Sequence, residues 1–263
     1  MKKSFLFLAL VAMTIASCSK DEVQPTKVVT FNSFGEFQFD SFAKTPNVTD
    51  IWYFDGNDLL AHQTSGEPVQ LTLPYGQHSI RVIASAGTTP YVYQNEGKIL
   101  FNNVGDTFHG SADITVNNSS PSAYEIELTR VVTQFSATIT NPMPENVSKF
   151  KIVVSQWWRG VYASNGQAFY QVTKTVEYPV NPDMWGTTNN TFELMGFVPN
   201  DNWTTNIILY LMNGSEIVGE VHLDNIPFKK NRVSHCSGNI YDNSEAWNLS
   251  YDESWLAPYN YQW

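Results

Sequence analysis

Cys18 is the residue whose surroundings point most directly to chemistry. It follows Ile15-Ala16-Ser17, the end of an apolar run from Phe5 to Ala16 that is itself preceded by Lys2-Lys3. A basic start, an apolar core of roughly a dozen residues and small residues before the cut are the parts of a secretory signal peptide. The run falls short of the about 20 apolar residues that a membrane-spanning helix needs. Residues 1–17 therefore read as a removable signal, and Cys18 becomes the first residue behind the cut. The alternative is an ordinary secretory signal followed by a chance cysteine.

No other constellation suggests a reaction. The five histidines, His62, His78, His109, His222 and His235, are scattered and form no H-x-x-x-H pair. The sequence holds no G-x-S-x-G, no phosphate-binding P-loop and no C-x-x-C, the spacings that would bring a nucleophile, a phosphate cradle or a dithiol together. Asp55-Gly56-Asn57-Asp58 offers oxygens to a cation but lacks the spaced ligands of a calcium loop, and reads better as a hairpin turn. The sequence thus assigns no catalytic residue, no metal ligand and no cofactor, and the chain reads as a protein that is not an enzyme. Cys236 is left without a cysteine partner once Cys18 is modified, so no disulfide is expected within the chain. It lies in the alternating stretch Arg232 to Gly238 and reads as a buried thiol.

Aromatic residues offer a binding chemistry instead. Eight tryptophans include the adjacent pair Trp157-Trp158, with Trp185 and Trp203 further on. Neighbours on a strand face opposite ways, so the pair is either a surface on which sugar rings or a partner can stack or a core ring beside a rim ring. The balance of 15 basic and 25 acidic residues gives a formal charge of −10, and loss of Lys2 and Lys3 with the signal makes it more negative. Nucleic acid and anionic membrane surfaces are excluded as generic partners.

Period-two alternation recurs through the chain, and almost no stretch carries apolar residues at helical spacing, so the fold class is all-β. Val69 to Leu73 alternates, Pro74-Tyr75-Gly76 turns, and Ile80, Val82 and Ala84 share one face of the next stretch, which predicts a hairpin. Tyr124, Ile126 and Leu128 alternate with acids, and the pattern runs on through Val131, Thr133, Phe135, Ala137 and Ile139. Phe150/Ile152/Val154, Ile207/Leu209/Leu211 and Ile217/Val221/Leu223 repeat it. Asn213-Gly214 marks a hairpin because both residues tolerate positive φ. A boundary is expected behind the polar stretch Asn117 to Ser122. Residues 246–263, rich in aromatics, read as a tail appended to the core. Within it Tyr259, Tyr261 and Trp263 alternate and could form a donor strand, or fold back on the chain's own domain.

Three resemblances follow from these residues. Ile15-Ala16-Ser17-Cys18 resembles the lipobox of bacterial lipoproteins, which implies acylation of Cys18. Ser19-Lys20-Asp21-Glu22 is similar to the acidic tract that directs Bacteroidetes lipoproteins to the outer face of the outer membrane, and also to a plain solvated tether. Further along, the hairpin Ile51 to Leu60, the segment Leu71-Thr72-Leu73-Pro74-Tyr75-Gly76, the stretch Asp106 to Gly110 followed by Ile114 to Val116, the motif Leu128-Thr129-Arg130-Val131-Val132-Thr133-Gln134-Phe135 and the closing Ile226 to Ser234 resemble, in order, the fimbrillin-type proteins of type V pili in Bacteroidetes. His78 and Thr133-Gln134 depart from the family pattern.

That resemblance implies two tandem transthyretin-like antiparallel β-sandwich domains, at 28–128 and 129–245, behind a lipidated tether at 18–27. It implies a structural role in a fimbrium and in cell adhesion. The partners would be other pilus subunits joined by strand exchange, the outer membrane held through acyl chains such as palmitate, and a host surface protein or glycan. Arg130, with five donors on a planar head, either bridges the domain junction or is an exposed strand arginine. Stalk subunits of the family lose their first strand to a cut after arginine. Residues 19–80 hold no arginine and only Lys20, Lys27 and Lys44 as basic residues, which favours a lipid-retaining anchor over a stalk or tip adhesin. A lysine-specific protease would reverse that inference, and a glycan-binding surface lipoprotein is the other alternative.

Overall fold

Short alternating segments can each bury one face only, so they must pair into sheets and the sheets must pack on one another. The computed structural model describes residues 24–35, 48–64, 67–88, 90–242 and 246–252. In chain order the strands are β1 (Thr26–Gly35), β2 (Asp50–Asp55), β3 (Asp58–Gln63), β4 (Val69–Pro74), β5 (Gly76–Ser85), β6 (Tyr91–Tyr93), β7 (Lys98–Leu100), β8 (Thr107–Val116), β9 (Ala123–Arg130), β10 (Val132–Ile139), β11 (Lys149–Tyr162), β12 (Ala168–Pro179), β13 (Asn190–Phe197), β14 (Trp203–Asn213), β15 (Glu216–Phe228), β16 (Val233–Gly238) and β17 (Asn248–Asp252). The protein is all-β, as its alternation predicts; a short 3-10 turn at Pro182–Met184 accompanies the strands.

The first ladder runs β3-β2-β5-β8-β9-β1-β4. Its β8–β9 link consists of two pairs, Phe108↔Arg130 and His109↔Thr129, so the ladder turns a corner there and closes as a sandwich. One core fills it, with Val29 and Phe31 of β1, Leu71 and Leu73 of β4 and Ile126 and Leu128 of β9 meeting Tyr53 of β2, Ile80 and Val82 of β5 and Phe108 of β8. The second ladder runs β15-β14-β11-β13-β10-β16-β17, with β12 beside β11. Its corner is the single pair Trp158↔Phe197, and its core joins Phe135, Ala137 and Ile139 of β10 to Phe150 and Ile152 of β11 and Leu209 and Leu211 of β14. Each ladder places its first strand parallel to a late one, β1 with β9 and β10 with β16.

Two expectations need correction. β4 and β5 do not form a hairpin: β4 pairs with β1, whereas β5 pairs with β2 and β8. Pro74-Tyr75-Gly76 instead carries the chain from one sheet to the other. Alternation tells which face is buried, but the neighbour across the ladder is set elsewhere, here by Tyr75 donating its backbone N–H to Pro25 (2.8 Å). The segment behind Asp242 is likewise no mere appendage, since β17 pairs with β16 from Asn248↔Ser237 to Asp252↔Val233. Trp247 joins the second core, its ring covering Gly238 where a Cβ would come within 2.6 Å of it. Residues 253–263, with Tyr259, Tyr261 and Trp263, lie outside the described residues.

His78, on β5, locks the sheet-to-sheet corner. Its Nδ1 donates to the Asp55 carboxylate (2.6 Å) and its Nε2 to the Pro74 carbonyl (2.8 Å). Both partners are acceptors, so only the imidazolium satisfies them together. Burial pulls its pKa down, but the bonds to Asp55 and Pro74 outweigh that and hold it above the ordinary histidine value. A pKa raised on folding stabilises the fold below the unfolded value and loses that effect as pH rises through the folded one. Urea midpoints are therefore expected to fall more between pH 6 and pH 9 in the wild type than in His78→Gln. A second prediction concerns Gly196, where a Cβ would come within 2.3 Å of the Trp157 ring. Gly196→Ala overpacks this point and is expected to cost about 1–3 kcal/mol in urea unfolding followed by tryptophan fluorescence.

Candidate functional site

The chemistry-bearing residues converge where the two sandwiches meet. β9 ends at Arg130 and β10 begins at Val132, so the division expected at 128/129 falls within β9. Between its terminal aspartates β2 reads Ile51-Trp52-Tyr53-Phe54, and all four are buried. Ile51 and Tyr53 face the first core. Trp52 and Phe54 face a separate apolar cluster with Ile83, Ile99, Phe101, Val131, Val161 and Phe197. This cluster takes residues from both ladders. Backbone pairing crosses the same place, because β7 joins the end of β11 through Gly160↔Leu100, Val161↔Ile99 and Tyr162↔Lys98. The hairpin β6–β7, supplied by the first half of the chain, thereby extends a sheet of the second.

Arg130 stands at this junction and is 9% exposed, so it is not an exposed strand arginine. Its Nε and Nη2 donate to the two Asp106 oxygens at 2.7 and 2.8 Å, a bidentate geometry. Its Nη1 donates to Asn231 Oδ1 (3.3 Å) and its guanidinium lies 5.1 Å from the Phe108 ring centre. Asp106 leads into β8 of the first sandwich, and Asn231 sits in the turn between β15 and β16 of the second. Asn231 holds φ 56°, a left-handed conformation asparagine tolerates, and donates its N–H to the Val132 carbonyl (2.8 Å). His109 donates from Nε2 to the Ala163 carbonyl across the junction (2.9 Å). Burial pushes its pKa down, with Lys230 and Arg81 adding to the shift and the Ala163 bond opposing it.

The other residues singled out in the sequence fall as follows. Trp157 is 1% exposed and belongs to the second core, its Nε1 donating to the Met195 carbonyl (3.1 Å). It offers no face to a ligand, because β11 turns it inward over Gly196. Trp158 is half-buried between the second core and the junction cluster. The pair is therefore a core ring and a rim ring, and not an aromatic binding surface. Cys236 is buried, and burial pushes its thiol up to about 12, which suppresses the reactive thiolate. Asp55 spends its carboxylate on His78 and on the Ser79 N–H (2.8 Å), and among the described residues no acidic, histidine and cysteine side chains cluster as a metal site would require. Cys18, Ser19, Lys20, Asp21 and Glu22 lie outside the described residues. Among those described, no helix is long and apolar enough to cross a membrane.

Residues 87–233 match the family described as fimbrillin-A associated anchor proteins Mfa1 and Mfa2. The chain belongs to that family. The matched stretch takes in β6 to β9, the junction and most of the second sandwich. Membership makes the chain a surface protein of the fimbrial, adhesin type. No curated protein matches. Among solved structures, a candidate adhesin from Bacteroides ovatus aligns over 76% of this chain and 83% of its own at 11% identity and a TM-score of 0.54. A candidate cell adhesion protein, also from Bacteroides ovatus, aligns over 88% and 97% at 8% identity and 0.52. A third, from Bacteroides eggerthii, aligns over 87% and 95% at 12% identity and 0.50. At these identities the likeness establishes a shared fold.

The buried ion pair at the junction gives a testable consequence. Removing one partner strands a charge away from water, so Arg130→Met is expected to cost about 3–5 kcal/mol, whereas Arg130→Met combined with Asp106→Leu recovers most of that loss. Denaturant unfolding of the two variants measures the difference.

Proposed function

We propose that this chain is the lipid-retaining anchor at the base of a fimbrium, exported by the signal at 1–17 and acylated at Cys18. The tract Ser19-Lys20-Asp21-Glu22 directs it to the outer face of the outer membrane. The segment at 18–27 tethers two transthyretin-like domains, which we assign to the two sandwiches meeting at Val131. Neighbouring subunits join it by strand addition, in which main-chain hydrogen bonds supply affinity and alternate side chains supply register. Arg130 fixes the two domains relative to each other in this reading.

The observation that carries the anchor role is the state of β1 together with the sequence around it. β1 lies between β9 and β4, with Val29 and Phe31 fully buried and Phe31 stacked on Tyr124. Lys27 lies within β1, its Nζ held by the carbonyls of Asn117 and Ser120. With no arginine in residues 19–80, an arginine-specific protease has no bond to cut before Arg81. A lysine-specific one at Lys27 must first unpair the strand, whereas its cut at Lys44, behind β1, would release β1 with the lipid and reverse the reading. A subunit left uncut from Cys18 through β1 keeps the lipid attached ahead of the strand.

An unboiled immunoblot of sheared filaments and of outer membranes, from cells carrying a C-terminally tagged chain, tests this. The expected result is a lipidated, uncut species that stays with the membrane and co-purifies with filament. A ladder of high-mass species in the sheared fraction, lacking the N-terminal segment, would make the chain a stalk or tip subunit. An uncut membrane species that never meets filament would leave it a surface lipoprotein outside the fimbrium.

A further inference from the structure

β6, β7, the end of β11 and the start of β12 form a small four-stranded sheet. Its rows are Tyr91–Leu100–Gly160–Phe169 and Val92–Ile99–Val161–Ala168. Residues opposite one another share a face. Ile99 and Val161 are buried in the junction cluster, so the face carrying Tyr91, Leu100 and Phe169 points away from it. Two residues along, Tyr93, Lys98 and Tyr162 stand on that same outer face.

Ring contacts join these side chains into one surface. Tyr91 and Tyr93 pack edge to face with centres 4.7 Å apart, Tyr93 meets Phe169 at 6.2 Å and Tyr162 meets Phe169 at 5.0 Å. The Phe169 ring lies over Gly160, within 2.6 Å of where a Cβ would stand. Tyr91 nevertheless keeps 62% of its surface exposed, and Tyr93, Tyr162 and Phe169 are half-buried. Beside them Tyr91, Tyr93, Gln94, Asn95 and Glu96 border a shallow hollow of about 470 Å³, within the size range of small-ligand sites.

Size and charge select the kind of partner. A specific protein interface engages about 20–30 residues a side, whereas this face presents six side chains around a glycine. β6 has three residues, too short an edge for an added strand that needs alternate side-chain pockets. Lys98 Nζ sits 2.6 Å from the Glu96 carboxylate and lies over the Tyr162 and Phe169 rings, 5.5 and 5.9 Å from their centres. The cation of this face is thus paired, and Tyr91 and Tyr93 are the rings left to a ligand. What remains is a set of aromatic rings flanked by phenol hydroxyls and the Gln94 and Asn95 amides. Pyranose rings match this pattern: their C–H faces pack on aromatic faces, and their hydroxyls take the hydrogen bonds.

We propose that this aromatic face binds a neutral saccharide through Tyr91 and Tyr93, with Tyr162 and Phe169, capped by Lys98, as the support beneath them. The site is separate from the anchoring role and does not depend on it. Native affinity electrophoresis of the full chain in mild detergent tests it, with gels containing barley β-glucan, xyloglucan, galactomannan or soluble starch, and polygalacturonate or heparin as the anionic arm. The expected result is retardation by at least one neutral polysaccharide, weakened about tenfold in Tyr91→Ala and in Tyr93→Ala, the loss of one stacked ring. Tyr241→Ala, an exposed tyrosine elsewhere on the surface, leaves it unchanged. Tyr91 is exposed enough that its removal spares the fold, and an unaltered melting curve checks that. No retardation by any neutral polysaccharide, retardation by the polyanions alone, or retardation that survives both substitutions overturns the proposal.

Discussion

The constraint on which the rest of the structure depends is that β2 is apolar on both faces. A strand at the surface of a lone sandwich needs one polar side, yet Trp52 and Phe54 stand opposite Ile51 and Tyr53 and all four are buried. Leaving the outer pair in water would forfeit about 1.5–3 kcal/mol for each large side chain. The first sandwich therefore requires a cover, and the cover is the hairpin β6–β7 together with the end of β11. That requirement accounts for the length of β11, whose early residues pair with β14 and whose last three pair with β7.

A junction built this way fixes orientation by several independent means. The apolar cluster supplies non-directional burial, the β7–β11 ladder supplies register, and Arg130 ties Asp106 to Asn231. Interfaces between domains of one chain are ordinarily polar enough to permit relative motion; this one has a core of its own. Among fimbrial proteins such stiffness has mechanical sense. A load entering one half passes through hydrogen bonds and packed side chains, and not through a flexible connector.

Much of this was legible in the sequence, and the gaps have physical causes. The β2–β3 hairpin at Asp55 to Asp58 and the β14–β15 hairpin at Asn213-Gly214 appear as read, since glycine at φ 57° and 60° provides the conformation those turns require. The alternation from Tyr124 to Ile139 yields β9 and β10. β10, however, is buried along its whole length, because small polar residues on its second face bond to its neighbours, Thr138 to Thr191 (2.7 Å) and Ser136 to His235 (3.1 Å). Strand partners were not legible at the Pro74 corner, where pattern gives face and not neighbour. β17 escaped notice because Leu249 and Tyr251 are 39% and 44% exposed. It has no inward stripe to read, and is held by backbone pairing and by Trp247. Arg130 could be named from its motif, but its bidentate partner Asp106, 24 positions earlier, becomes visible only when β8 and β9 are placed side by side.

The slot occupied by β1 sets the terms on which any strand exchange must proceed. β1 is hydrogen-bonded on both sides, antiparallel to β4 and parallel to β9, so withdrawing it opens two unpaired strand edges and uncovers the places of Val29 and Phe31 at once. Open edges of that kind pair indiscriminately with other chains. An incoming strand must therefore displace β1 step by step, or meet a slot from which β1 has been cut away. The proposed anchor role has the opposite need, for a first strand that stays seated under load. β1 is secured by two ladders, by buried side chains and by the hold of Asn117 and Ser120 on Lys27.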